Sequence, residues 1–360
     1  MVGWVFARSK LAAGDWVEVR SKEDILATLD ANGRLDNLPF MPEMFEYCGR
    51  RFRVWKRAHK TCDTVDKTGG RRVSDAVHLE DSRCSGKAHG SCEAACLLFW
   101  KEAWLKRVNG SDRTSARPPS GVVSGCDESM VRDDTQAPGS SASDPTYECQ
   151  ATLLPQFSSP LPWWDFRQYL DDYRWGNATL EQLLSGAAYV VFFALAKPGQ
   201  RIRRRLSPAL IRLYDRWQSL RQGVPFPRRK GSIPPGEETP SPPPLNLQPG
   251  EWVRVRSYPE ILATLNTNNM NRGLYFDAEE VPYCGGTYRV RSRVSKIIDE
   301  KTGKMRVFKT PAVILEGVYC QARYSDRRMF CPRAILPFWR DAWLERAQPR
   351  DKRGNGGPAS

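Results

Sequence analysis

Histidine is scarce in this chain. Three of 360 residues are histidine, His59, His78 and His89, and all stand in the first hundred positions. Long apolar runs are also missing: the charge-free apolar stretch Leu183 to Ala196 covers 14 residues, against about 20 needed to span a bilayer. That length predicts a buried helix, with an interfacial membrane segment as the alternative. No phosphate-binding glycine loop is present, because Thr68-Gly69-Gly70-Arg71-Arg72 lacks the P-loop spacing and reads as a turn. Paired C-x2-C knuckles are absent, and nothing beside the cysteines matches a protease or transferase signature. The opening Met1 to Lys10 shows no basic leader followed by an apolar core, so a cytoplasmic protein is expected, membrane-peripheral as the alternative. In that compartment the ten cysteines are reduced thiols and metal ligands rather than a disulfide framework.

What is present is largely one pattern written twice. Gly14-Asp15-Trp16-Val17-Glu18-Val19-Arg20-Ser21 returns as Gly250-Glu251-Trp252-Val253-Arg254-Val255-Arg256-Ser257. Ile25 to Leu29 returns as Ile261 to Leu265, Tyr47-Cys48-Gly49 as Tyr283-Cys284-Gly285, and Trp100/Trp104 as Trp339/Trp343. Positions kept in both copies are expected to build the fold, and those found in one copy to carry chemistry. The expected organisation is a repeat module over 12–108, a flexible linker over 109–150 rich in Ser, Gly, Asp and Pro, and a helical basic segment over 151–224. A proline-rich linker over 225–247, a second module over 248–347 and a disordered tail over 348–360 follow.

Within each module, alternation around Trp16-Val17-Val19 and Trp252-Val253-Val255 predicts a strand. Ser21-x-x-Asp24 and Ser257-x-x-Glu260 predict capped short helices. Asp299 to Lys304 predicts a hairpin turn, and Phe99 to Leu105 a short helix packing both tryptophans on one face. The fold class expected is α+β: two small β-rich modules with short helices, separated by a mostly helical basic segment. The Gly-x-Trp-Val-x-Val unit and the Tyr-Cys-Gly-x-x-[Phe/Tyr]-Arg-Val strand resemble small SH3-like barrels, among them the β-subunit domain of nitrile hydratases. The resemblance implies a barrel fold and carries over no catalytic residue.

The cysteines and histidines of the first copy form the candidate metal site. Cys84-x4-His89-x2-Cys92-x3-Cys96 and His59-x2-Cys62 place thiols and imidazoles at spacings that can converge on one tetrahedral Zn²⁺. Cys62, Cys84, Cys92 and Cys96 are the first choice of ligands, with His89 as the substitute. The competing readings are buried thiols, a disulfide or, less in keeping with the spacing, an iron–sulfur cluster. His78 stands where the second copy has Ile314 and reads as a core histidine. The acidic and basic residues kept in both copies, Glu43/Glu279, Arg53/Arg289, Arg57/Arg293 and Glu80/Glu316, read as ion pairs, solvated faces or a repeated recognition surface.

Across 151–230 the chain carries 13 Lys and Arg against 5 Asp and Glu, the largest basic excess of any segment. Arg201, Arg203, Arg204, Arg205, Arg212 and Arg216, interleaved with Trp175 and Trp217, are candidates for contacting a polyanion, nucleic acid in the first instance. An anionic membrane surface is the alternative. The functional expectation is a non-catalytic, zinc-stabilised binding or adaptor protein whose partner is a protein or nucleic acid, with no small-molecule substrate identified. The alternatives are a cysteine- or zinc-dependent enzyme and a peripheral membrane protein.

Overall fold

The computed structural model describes residues 10–108, 126–197, 201–325 and 327–348; for 201–206 only the backbone is described. The architecture is mixed α+β, with several small antiparallel sheets and few helices. The chain divides into two compact units. The first comprises Met1–Val191, Lys296–Val307 and Gln321–Ile335, and the second comprises Phe192–Ser295, Phe308–Cys320 and Leu336–Ser360.

In the first unit, β1 (Trp16–Val19) leads into α1 (Lys22–Leu26), then the two-residue strands β2 (Arg34–Leu35) and β3 (Leu38–Pro39). A 3-10 turn over Pro42–Tyr47 precedes β4 (Arg51–Arg57), β5 (Lys60–Cys62), β6 (Gly70–Val73) and β7 (Ala76–Leu79). After a long loop come β8 (Trp100–Lys101) and β9 (Leu105–Arg107). β8, β7, β4, β1 and β9 make a five-stranded half-barrel in that order. β1 meets β4 antiparallel with Trp16 opposite Arg53 and Val17 opposite Phe52. Inward-facing Val17 and Val19 are fully buried while Trp16 is more than half exposed, the alternation a one-sided sheet requires.

Phe99 to Leu105 does not form the expected helix. Trp100 pairs with Val77 across β7–β8, and a 3-10 turn at Glu102–Trp104 swings the chain back to β9. Both indoles are nonetheless completely buried. β-Sheet pairing wins here over the i, i+4 tryptophan spacing.

α2 (Glu128–Asp133), β10 (Ser158–Leu161), α3 (Arg167–Arg174) and α4 (Leu180–Ala196) follow. Residues 126–150 lie inside the stretch expected to be a flexible linker, yet Cys126, Val131 and Cys149 are buried in the main hydrophobic cluster. A few apolar anchors suffice to dock a polar segment. Residues 109–125 and 349–360 lie outside the described residues. α4 is not fully buried either: Leu183 and Val190 pack against Ala178, Met329 and Phe330, but the opposite side of the helix is open.

The second unit holds α5 (Arg201–Leu220), β11 (Trp252–Val255), α6 (Tyr258–Leu262), β12 (Met270–Asn271), β13 (Leu274–Tyr275) and β16 (Leu344–Arg346). It also holds most of β14 (Thr287–Ile298) and β15 (Met305–Leu315). The sheet order is β15, β14, β11, β16, and Trp252 stands opposite Arg289 as Trp16 does opposite Arg53. Gly14 and Gly250 sit at φ +89° and +93°, conformations that disfavour a Cβ. Each offers its carbonyl to the guanidinium of the strand opposite, Arg53 at 3.4 Å and Arg289 at 3.1 Å.

The tryptophan cores match likewise. Trp104 Nε1 donates to Thr28 Oγ1 and Trp343 Nε1 to Thr264 Oγ1, both at 3.0 Å, while Phe40 and Phe276 each stand edge-on to the indole with centroids 5.1 Å apart. Replacing Thr264 with valine keeps the volume and orphans a buried indole N–H. We expect a loss of about 1–3 kcal/mol, read as a lower denaturation midpoint in urea.

Candidate metal centre

Among the described residues, one group of His, Cys, Asp and Glu side chains is compact enough to hold a metal ion: Glu43, Cys84 and His89. One ligand atom from each lies within 4.8 Å of the others. Glu43 comes from the 3-10 turn at Pro42–Tyr47. Cys84 and His89 come from the loop after β7, whose base is closed by Cys84 N donating to Cys96 O at 2.8 Å. Gly86 allows the loop to double back. It stands at φ +70°, and a Cβ there would meet Cys92 O at 2.0 Å, so any side chain would force the loop open.

Cys84 Sγ lies 3.4 Å from His89 Nε2 and 3.7 Å from Glu43 Oε1, and His89 Nδ1 lies 3.4 Å from the same carboxylate oxygen. Bonds of about 2.0–2.3 Å to a tetrahedral ion put neighbouring ligand atoms about 3.3–3.8 Å apart; the two His89 contacts use different ring nitrogens, so the imidazole must turn one nitrogen towards both partners to join a single ion. Glu43 and His89 are buried, and Glu43 Oε2 and His89 Nδ1 make no hydrogen bond. Unsatisfied buried donors and acceptors are costly, and an ion would satisfy them. Burial pushes the Cys84 thiol well up, with the Glu43 charge adding to the effect. Burial also holds the His89 imidazole below its ordinary value against the pull of Glu43. A metal ion binding here would displace a thiol proton and find the imidazole already neutral.

The same three residues could be taken for a nucleophile, base and orienting carboxylate, since His89 addresses Cys84 through one nitrogen and Glu43 through the other. A relay of that kind keeps the carboxylate on the far side of the ring from the nucleophile. Here Glu43 touches Cys84 directly, so the three converge on a point, and a thiol with a raised pKa is a poor nucleophile.

A cavity of about 40 Å³ adjoins the group, lined by Cys84, His89, Cys92, Cys96, Cys149 and Arg333 among others. It is large enough for one or two atoms. Cys92 and Cys96 line this cavity and lie outside the compact triad. Cys92 Sγ accepts from Ile298 N at 3.3 Å, and burial pushes the Cys96 and Cys149 thiols up to about 11.

Cys62 does not join them. β5 carries it in register with Gly70 of β6, where its thiol is hydrogen-bonded to Cys331 and its amide donates to Cys331 Sγ at 3.1 Å. Cys62 and Ile298 stand 236 positions apart, the offset between Gly14 and Gly250. The Cys92 loop caps the end of β14 and Cys331 the end of β5, both inside the first unit. Arg333, fully buried, donates to Thr64 Oγ1 at 2.7 Å and to Glu300 at 3.2 Å beside these thiols.

Glu43 escaped the sequence reading because it was grouped with the repeated acid–base pairs. In the structure it stands out as a buried glutamate whose nearest basic neighbour is His89. His78 is the core histidine expected, with Nδ1 2.8 Å from Leu98 O and the ring against Phe99. His59 packs between Gln168 O and Asp172. Of the candidate polyanion contacts, Arg212 and Arg216 are exposed on α5, and the side chains of Arg201, Arg203, Arg204 and Arg205 lie outside the described residues.

Burial lowers both His59 and His78 to about 3. A depressed folded-state pKa gives stability that is present above the unfolded value of about 6.5 and lost as pH falls towards 3. We expect His78→Leu to flatten the pH dependence of the urea midpoint between pH 6.5 and about 3. An unchanged slope would place the acid sensitivity elsewhere.

No protein-family model matches the chain, and a search of curated proteins finds no match to its sequence. The reading of the site therefore rests on its geometry.

Proposed function

We propose that this is a non-catalytic binding protein in which one zinc ion, held by Glu43, Cys84 and His89, organises the loop 84–96 of the first unit. The observation that carries the reading is the convergence of a thiol, an imidazole and a carboxylate on one buried point with two of their atoms unpartnered. A mixed sulfur, nitrogen and oxygen donor set suits zinc better than magnesium or calcium. The fourth position falls to a cysteine of the adjoining cavity, Cys92, Cys96 or Cys149, and a fourth protein ligand favours a closed structural site over an open catalytic one. The two sheets with matching register and matching Trp–Thr pairs are read as two copies of one SH3-like module, and the protein's partner as a macromolecule.

Cobalt tests the ligand set. Titrating the metal-free protein with Co²⁺ is expected to give one equivalent of thiolate-to-cobalt absorption in the near ultraviolet. That band should disappear in Cys84→Ala and shift in His89→Ala. Absorption that survives Cys84→Ala would remove Cys84 from the site.

A further inference from the structure

The central helices present a surface whose chemistry the metal site does not explain. Among the described residues, eight of the seventeen exposed large hydrophobics lie between Trp163 and Val191. On α3, Phe166, Leu170 and Tyr173 fall in one stripe, beside Arg167 and Arg174 on the next. The inner side of α3 is spent on Tyr169, edge-on to Phe330, and on buried Gln168 and Asp172.

α4 repeats the arrangement. Leu180, Leu184, Ala187, Ala188 and Val191 recur at three and four residues and are all exposed, forming one ridge about 100° wide. No charge interrupts α4 between Glu181 and its end. Its inner residues Leu183 and Val190 pack on the same Met329–Phe330 cluster that receives Tyr169. Both helices thus seat their inner sides on one small core and leave apolar stripes in water, flanked on α3 by Arg167 and Arg174, a costly exposure for a free surface.

We infer that this face of the first unit docks on an anionic lipid bilayer. Four of the eight exposed residues are aliphatic: Leu170, Leu180, Leu184 and Val191. A polynucleotide rewards stacking aromatics but gives nothing for a leucine–valine ridge, whereas an acyl boundary rewards both. The cationic complement is Arg72, Arg167 and Arg174, which with Leu170 and Asp171 line an open depression. Asp165, itself largely buried, holds Arg167 at 2.9 Å and Arg72 at 3.0 Å, fixing two guanidinium groups at the rim where lipid phosphates would lie. No helix among the described residues is long and apolar enough to cross a membrane, so the helices lie in the interface. The inference goes beyond the zinc reading and does not depend on it.

The test is flotation of the full chain with phosphatidylcholine vesicles and with vesicles containing about one-quarter phosphatidylserine. Binding is expected on the anionic vesicles only and should fall with added salt. Leu184→Asp with Val191→Asp should weaken it by on the order of tenfold or more. Arg167→Gln with Arg174→Gln should reduce it without abolishing it. These positions are exposed, and an unchanged urea midpoint verifies that each variant folds. No partitioning of the folded wild type would overturn the inference. So would binding to a single-stranded oligonucleotide in place of vesicles, or self-association lost in Leu184→Asp without any lipid binding.

Discussion

Stripping zinc with a strong chelator is expected to lower the stability of the first unit by about 4 kcal/mol at a free-ion level a thousandfold above the dissociation constant. Small zinc domains lose their fold altogether on metal removal. This unit has a large core of its own, including Val17, Leu79, Trp100 and Trp104, so the sheets should persist and the loop 84–96 should open. Hydrogen exchange reads the difference. Amides such as Cys84 N and His89 N, bonded to Cys96 O and Gly86 O, should lose protection on chelation while those of β1 and β4 keep theirs. Glu43→Gln should reproduce part of the effect, since it keeps the shape and removes the charge. Equal loss of protection across the half-barrel would mean that the metal holds the whole unit rather than one loop.

Asp172→Ala is expected to cost about 3–5 kcal/mol, because it strands a buried ammonium. Lys60 Nζ lies 2.5 Å from Asp172 Oδ2, and neither side chain is more than marginally exposed. The ammonium also stands 4.8 Å above the Tyr169 ring, and His59 Nε2 lies 3.4 Å from the second carboxylate oxygen. Burial lifts Asp172 to about 6 in spite of Lys60. A raised folded-state pKa gives stability that is complete below the unfolded value of about 3.9 and lost as pH rises through 6. Lys60→Met combined with Asp172→Leu should recover most of the loss, since an apolar pair of similar volume can replace a buried ion pair. Urea denaturation of the three proteins measures this directly. A single variant as stable as wild type would show that the pair is solvated.

The strands were legible wherever one side of the sheet faces the core. Trp16-Val17-Val19 and Trp252-Val253-Val255 alternate because their inward residues are buried completely, and the caps at Ser21 and Ser257 are where the spacing put them. Trp100 and Trp104 misled because a spacing of four mimics a helix, while a strand, a 3-10 turn and a second strand buried both rings. Residues 126–150 misled in another way: their composition is that of a linker, but Val131 and Cys149 find pockets that composition does not reveal. Of the candidate ligands, Cys84 and His89 could be read from local spacing. Glu43 could not, because it reaches them from a turn 41 positions away from Cys84. Cys62 stands apart because the loop carrying Cys331, distant in sequence, packs against it.

Glu43, Cys84 and His89 are proposed to bind one metal ion. Elemental mass spectrometry of the full chain, purified without chelators, tests it most directly when wild type is compared with Cys84→Ala and Cys62→Ala. One equivalent of zinc in wild type and in Cys62→Ala, with none in Cys84→Ala, is the predicted result. Zinc retained in Cys84→Ala but lost in Cys62→Ala, or no metal in any of the three, would contradict it.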